Sequence, residues 1–292
     1  MPIFSSPQAR LASPHLLRKT VFVVFLGALC VLGGCRDNGD VTGSIGETSR
    51  PLPTSDAELR AYAEDCGKRY DANPGEKTAA MNYAKALRAL TRYAEAAAVM
   101  QAAAVKTPKD MEVLGAYGKA LADAGQLQQA NDVLSHSYTE ERPNWSSMST
   151  QGSIADQLGD HAAAQEFYRN ALKIAPGEPI VLSNLGLSYA LTKQLPLAEQ
   201  VLRQGAANPR ADSRVRDNLA LVLSLEGKFA DAEQVSRQDR TPEQAAANVA
   251  SIRQMIAQSN SWREIQTLDA KKRAAKPAPG ERPVAAADGP AG

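Results

Sequence analysis

The 292-residue sequence is poor in the residues on which most catalytic and metal-binding sites depend. It has three cysteines, three histidines and only 5% aromatic residues. Cysteines and histidines this few and this scattered leave little material for a metal site or a disulfide framework. The chain has 33 basic and 32 acidic residues, which gives a net charge of +1. Nucleic-acid-binding domains typically have a large excess of basic residues, which this chain does not have. We therefore expect no metal, no cofactor and no nucleic-acid partner.

Aromatic residues are scarce although hydrophobic residues make up 43% of the chain, so alanine and leucine supply most of the apolar side chains. Helices favour these two residues, whereas strands favour β-branched and aromatic ones. Beyond residue 35 the chain also lacks a nucleophile elbow, a P-loop, an HExxH and a CxxC motif. The sequence predicts an all-α protein that is not an enzyme and has no small-molecule substrate.

The first 34 residues have the layout of an export signal. Several basic residues precede an uncharged run, TVFVVFLGALCVLGGC at 20–35, and no acidic residue occurs before Asp37. A helix needs about 20 residues to span a bilayer, and the run is shorter than that. A basic start, an apolar centre and small residues at the end are typical of a cleaved signal peptide. We predict a signal peptide at 1–34.

The apolar run ends in Leu-Gly-Gly-Cys, which resembles the lipobox of bacterial lipoproteins. That resemblance implies cleavage before Cys35 and attachment of lipid to it, with acyl chains such as palmitate. Several acyl chains hold a protein on a membrane stably. The alternatives are a plain signal peptide or an uncleaved anchor, in which Cys35 is incidental.

Two other segments have compositions typical of flexible chain. Residues 36–54 are rich in Gly, Ser, Thr, Asp and Pro without an apolar period, so we predict a lipidated tether over 35–54. The end of the chain is rich in Ala, Pro, Gly and basic residues, and we predict a mostly disordered tail over 259–292. Between them, 55–258 is predicted to be one folded domain.

This middle region repeats every 34 residues. The clearest marker is an alanine that recurs at this interval: Ala96, Ala130, Ala164, Ala198 and Ala232. Twelve residues before each alanine stands another small residue: Ala84, Gly118, Gly152, Gly186 and Ala220. Small residues at both places let two antiparallel helices approach closely. The pattern resembles the tetratricopeptide repeat, which implies a solenoid of five helix pairs: 77–110, 111–144, 145–178, 179–212 and 213–240.

Repeats of this kind bury their apolar faces against neighbours, so both ends need capping helices. Ser55 is placed to start a helix over 56–71, which we interpret as the N-terminal cap. At the other end, Thr241-Pro242-Glu243-Gln244 is a capping box with proline in the first turn. An apolar stripe follows it: Ala245, Val249, Ile252 and Ile256. Because Ser236 stands where an apolar residue belongs, we expect the second helix of repeat five to be short.

The resemblance also implies a binding groove lined by the first helix of each repeat. Its N-terminal half is predicted to be charged, with these candidates: Asn82, Lys85, Arg88 and Lys119. Its C-terminal half is predicted to be apolar, with these candidates: Asn184, Leu187, Leu191, Asn218, Leu221 and Leu225. The asparagine amides are suited either to a partner's backbone or to a neighbouring helix. The leucines either face a partner or belong to the core.

Two stretches narrow the resemblance further: NYAKALRALTRYAEAAAVMQ at 82–101, and the stretch 184–234, which begins NLGLSYALTKQLPLAEQ. Both are similar to the TadD family of Flp-pilus assembly lipoproteins of the tight-adherence (Tad) secretion system. That similarity implies an outer-membrane lipoprotein, facing the periplasm, that binds the secretin and helps the pilus machinery to assemble or localise. The alternative is another envelope repeat lipoprotein, acting in outer-membrane protein assembly or as a partner of peptidoglycan enzymes.

Overall fold

A computed structural model of the chain describes residues 52–274, with side chains as far as residue 258. All regular structure in this range is helical. The predicted signal peptide, Cys35, most of the predicted tether and the last 18 residues lie outside the described residues. The helices of this range are α1 (Asp56–Ala72), α2 (Lys77–Ala89), α3 (Tyr93–Lys106), α4 (Met111–Asp123), α5 (Leu127–Ser135), α6 (Trp145–Leu158), α7 (His161–Ile174), α8 (Pro179–Leu191), α9 (Leu195–Ala206), α10 (Ser213–Leu225), α11 (Phe229–Ser236) and α12 (Pro242–Ala274).

The predicted all-α repeat architecture is confirmed. Helices α2 to α11 form five consecutive pairs, and we call the first helix of each pair its A helix and the second its B helix. Helix α1 precedes the first pair as the N-terminal cap. Its N-cap is Ser55, whose hydroxyl accepts a hydrogen bond from the backbone N–H of Glu58 at 3.3 Å. Such a cap satisfies one of the backbone donors that the first turn leaves free.

The turn between the A and B helices has the same backbone geometry in all five repeats. The fifteenth residue of each repeat has a positive φ, between 59° and 85°. Glycine adopts this conformation without strain, and it occupies the place in three repeats: Gly125, Gly159 and Gly227. In repeats one and four the place is held by Thr91 and Lys193. The turn therefore recurs even where no glycine marks it.

The described chain divides after Val222 into two compact units, whereas the sequence predicts one domain over 55–258. In the second unit, helix α11 has 8 residues, as short as expected from Ser236. Helix α12 buries Ala245, Val249 and Ile252. Within this unit the Asn248 amide also donates to the Ser236 hydroxyl at 3.3 Å.

Helix α12 is longer than the sequence predicts. It continues through residues 259–274, part of the segment for which the sequence predicts a mostly disordered tail. The physical reason is the absence of helix breakers: no glycine or proline occurs after Pro242 until Pro277. Despite its 33 residues, α12 is not apolar enough to cross a bilayer, and neither is any other helix between residues 52 and 274.

The core of the first unit depends on close helix contact inside each repeat. The five register alanines are all fully buried, including Ala232 in the second unit. A Cβ added to Gly118 would lie 2.5 Å from the Leu134 side chain, and one added to Gly186 would lie 2.5 Å from Leu202. Glycine at the eighth place therefore makes room for the large residue four places after the alanine. In repeat three this residue is Tyr168.

The substitution Gly152→Ala tests this contact. The new methyl group would lie 2.6 Å from the Tyr168 ring, which is 2% exposed and has no space to withdraw. Overpacking of this kind costs about 1–3 kcal/mol, and the better helix propensity of alanine returns about 1 kcal/mol. We expect the free energy of unfolding to fall by up to about 2 kcal/mol, measured by urea titration with circular dichroism.

Gly67→Ala is the matched control, because it is also a glycine-to-alanine change inside a helix. Its added methyl group would meet the Tyr83 ring at 3.3 Å, a distance that a small shift relieves. Because that contact is relieved, the gain in helix propensity remains, and we expect the free energy of unfolding to rise by up to about 1 kcal/mol. Equal effects of the two substitutions would show that the close contact in repeat three does not limit stability.

Candidate protein-binding surface

The A helices of the first unit pack side by side, with α2 against α4, α4 against α6 and α6 against α8. The groove candidates on them are neither buried nor fully exposed. We call the following residues of the first unit the A-helix surface: Asn82, Lys85, Arg88, Lys119, Asn184, Leu187, Leu191, Asn218 and Leu221. The remaining candidate, Leu225, lies in the second unit and is 42% exposed.

Asn184 and Asn218 connect neighbouring A helices. The Asn184 amide donates to the hydroxyl of Ser149 at 3.4 Å, and the Asn218 amide donates to the hydroxyl of Ser183 at 2.8 Å. Both acceptors lie one repeat earlier, at the fifth place. Of the two roles that the sequence leaves open, one N–H of each amide therefore bonds a neighbouring helix. The carbonyl oxygen and the second N–H of each side chain remain for a partner.

Asn82 and Lys85 stand apart from these connected residues. No hydrogen bond or ion pair joins either side chain to another residue between 52 and 258, and both are half-buried. They lie on the first A helix, which follows the capping helix α1 rather than another A helix. Asn82 consequently has no serine of an earlier A helix to bond.

The other charges at this end are paired. The Arg88 guanidinium contacts the Asp123 carboxylate at 2.5 Å, and the Lys77 ammonium contacts Asp110 at 3.0 Å and Glu112 at 2.6 Å. Partial burial opposes ionisation of Asp110, but hydrogen bonds from Lys77 and from the backbone lower its pKa. These pairs hold α2 against α4 and neutralise most of the local charge.

A polar network that we did not predict from the sequence lies where repeats three and four meet. One carboxylate oxygen of Asp156 accepts from the His161 ring and from the Ser188 hydroxyl, each at 2.8 Å. Its other oxygen accepts from the Tyr168 hydroxyl at 3.2 Å. Ser188 belongs to the next A helix, so Asp156 connects the two repeats. His161 is half-buried in this network.

One signal for this network was present in the sequence. Repeat three has tyrosine where the other repeats of the first unit have Met or Leu, and a buried tyrosine hydroxyl needs a partner. Burial, reinforced by the Asp156 carboxylate, raises the pKa of Tyr168 far above its ordinary value. The phenol therefore stays protonated and remains a hydrogen-bond donor to Asp156.

The junction of repeats two and three is also unusually polar. The buried hydroxyl of Ser137 donates to Ser147 at 2.8 Å. The Tyr138 hydroxyl donates to Gln151 at 2.6 Å, and the Gln151 amide donates to Asn131 at 3.1 Å. Hydroxyl and amide pairs thus take the place of the alanine and leucine contacts found within the repeats.

Neither network has the composition of a metal centre. Among the residues between 52 and 258, no group of three or more His, Cys, Asp or Glu side chains is arranged to hold a metal ion. Cys66 is a free thiol, buried in helix α1. What the arrangement offers chemically is a set of amides, one unpaired ammonium and apolar side chains, which suits binding of a polypeptide.

Comparison with known proteins identifies the repeat. The family model of the tetratricopeptide repeat matches residues 157–222. The chain is 29% identical over 201 residues to the uncharacterized protein y4yS of Sinorhizobium fredii (strain NBRC 101917 / NGR234), which covers 64% of this chain and 92% of that protein.

Two solved structures share the fold. PilW, a widely conserved type IV pilus biogenesis factor, superposes with a TM-score of 0.56 at 12% identity, over 81% of this chain and all of that one. The Cut9–Hcn1 hetero-tetramer of the APC/C superposes with a TM-score of 0.53 at 14% identity, over 68% of this chain and 40% of that one.

Removal of the Asp156 carboxylate tests the network. In Asp156→Ala the buried hydroxyls of Tyr168 and Ser188 lose their acceptor, and an unsatisfied buried group costs about 1–3 kcal/mol. We expect the free energy of unfolding to fall by about 2–4 kcal/mol, measured by urea titration.

Two further variants make this result specific. Asp132→Ala removes an exposed carboxylate from helix α5, and we expect it to change stability by less than about 0.5 kcal/mol. Tyr168→Phe is expected to cost less in the Asp156→Ala background than in the wild type, since its hydrogen bond is already lost. Additive costs would mean that the two side chains are not coupled.

The identity of the repeat now follows from independent observations. The family model covers 157–222, and the 34-residue register extends to both sides of that segment. The residues of the register lie on five consecutive helix pairs. The chain has the fold of a tetratricopeptide-repeat solenoid, and its segment 157–222 matches that repeat family.

Proposed function

We propose that this chain is a lipid-anchored scaffold of the bacterial envelope that binds proteins of the Tad/Flp pilus machinery, the secretin in particular. It is held at the periplasmic face of the outer membrane through Cys35. Its binding site is the A-helix surface, and its role is to assist assembly or localisation of the secretin and pilus, without catalysis.

The observation that carries the binding role is the composition of the A-helix surface. Leu187, Leu191 and Leu221 are only half-buried although they are apolar, and the amides of Asn184 and Asn218 beside them retain free bonding groups. Apolar side chains next to spare amide groups are suited to a polypeptide segment, which has both apolar side chains and a polar backbone. Tetratricopeptide repeats serve as protein-binding scaffolds, which supports this assignment.

The pilus role is supported by the similarity of 82–101 and 184–234 to the Tad assembly lipoproteins and by the lipobox-like end of the apolar run at Cys35. PilW, a type IV pilus biogenesis factor, has the same fold. At 12% identity that likeness extends to the fold alone, so the assignment depends on the sequence features.

The partner is tested by purifying the tagged full-length protein from envelopes of its own bacterium after mild cross-linking. We expect the Tad secretin to be enriched. The double variant Leu187→Gln/Leu191→Gln should recover at least about tenfold less secretin, because a tenfold change needs only about 1.4 kcal/mol and each leucine fully covered by a partner contributes about 1.5–3 kcal/mol. Leu197→Gln, on the B helix α9 and 44% exposed, is the control and should leave recovery unchanged.

Quantitative mass spectrometry of the recovered proteins gives the readout. Failure to enrich the secretin in the wild type would contradict the pilus role. Recovery of barrel-assembly proteins or peptidoglycan enzymes in its place, reduced by the same double variant, would favour the other envelope role.

The anchor is tested by membrane fractionation. We expect Cys35→Ser to shift the protein from the outer-membrane fraction to the periplasm, because the thioether that carries the lipid cannot form. Cys30→Ser, five residues earlier in the same apolar run, is the control and should remain in the outer membrane. A Cys35→Ser protein that still fractionates with the outer membrane would refute the anchor.

A further inference from the structure

The A-helix surface changes its chemistry along the first unit. The ninth place of each repeat occupies an equivalent position on successive A helices, and its side chains are all half-buried. From repeat one to repeat five they are Lys85, Lys119, Ser153, Leu187 and Leu221. The surface is therefore basic at its first two helices, polar in the middle and apolar at its last two.

At the basic end, one positive charge is not neutralised within the described part of the chain. Lys85 makes no ion pair there, and Asn82, one turn earlier on the same face of α2, makes no hydrogen bond. The neighbouring Arg88 is neutralised by Asp123. A half-buried ammonium is partly shielded from water, which strengthens its attraction for a carboxylate. An ammonium and an amide on one helix face together suit an acidic side chain.

At the apolar end, two A helices that are joined by a hydrogen bond both carry half-buried leucines. Leu187 and Leu191 come from α8, and Leu221 comes from α10, which the bond from Asn218 to Ser183 ties to α8. Burial of such side chains against an apolar partner is favourable. Neither leucine of α8 attracts an acidic group, so the two ends select different chemistry.

The distance between the two ends follows from helix packing. Packed helices lie about 8–10 Å apart, so α8, three A helices beyond α2, is about 24–30 Å from it. An extended chain advances about 3.3 Å per residue. A segment that reaches from the leucines to Lys85 therefore spans about seven to nine residues.

We propose that the A-helix surface binds an extended segment of a partner protein with apolar side chains at one end and an aspartate or glutamate about seven to nine residues away. This rests on the proposed function in taking the surface as the binding site, but it does not depend on which protein supplies the segment. The leucines hold the apolar end, and Lys85 with Asn82 holds the acidic side chain.

Selection from a random peptide library tests this ligand without assuming a partner. Full-length protein purified in detergent is the bait, and enriched peptides are sequenced. We expect peptides that combine an apolar cluster with an acidic residue about seven to nine positions away. Lys85→Glu should reverse the charge preference, enriching basic residues at that distance while keeping the apolar cluster. Leu187→Gln/Leu191→Gln should remove the apolar cluster and keep the acidic preference.

The selected peptides are then synthesised and their affinities measured. We expect Lys85→Glu to weaken binding of an acidic peptide about tenfold, and Lys109→Glu, an exposed lysine between repeats one and two, to leave it unchanged. Circular dichroism confirms that each variant is folded.

Three outcomes would overturn the proposal: no enriched motif, an apolar motif without an acidic residue, or a charge preference that Lys85→Glu does not alter. A selected motif without secretin recovery would instead contradict only the pilus role.

Discussion

The structure depends on one contact between the two helices of a repeat. In repeats two to four the glycine at the eighth place lies under the large side chain of the B helix, and the alanine at the twentieth place is fully buried. Only small residues at these places allow the helix axes to come close enough for this packing. Because the A and B helices of a repeat pack closely, the remaining faces of the A helix lie against the A helices of the adjacent repeats. The arrangement of the A-helix surface therefore depends on this spacing between the two helices of a repeat.

Polar contacts then link one repeat to the next. Arg88 with Asp123, Asn184 with Ser149, Asn218 with Ser183 and Asp156 with Ser188 each join neighbouring A helices. Partly buried hydrogen bonds require defined geometry, so these links orient the A helices more narrowly than alanine contacts alone. These side chains thus fix the positions of the A helices that carry the basic end and the apolar end of the A-helix surface.

Much of the helical architecture could be predicted from the sequence, because close helix packing requires small residues at regular intervals. The alanine register, the cap at Ser55 and the shortness of the helix that ends at Ser236 all follow from local residue choice. Other features left weaker marks. Thr91 and Lys193 adopt the turn conformation that glycine favours, since the flanking helices impose it. The extension of α12 to Ala274 was missed because a polar composition suggests a tail even where no breaker ends the helix.

The sequence by itself determined the helical class, the 34-residue period and the small-residue contacts, because each depends on residues that lie within one repeat. Only the tertiary structure decided which polar side chains bond a neighbouring helix and which keep their donors and acceptors for a partner. Asn184 and Asn82 occupy the same place in their repeats, yet one amide bonds a serine of the preceding A helix and the other has no such neighbour. Likewise Arg88 is neutralised across repeats, whereas Lys85 is not. These differences depend on which residue of the adjacent repeat faces each side chain. That pairing is fixed only when the repeats stack.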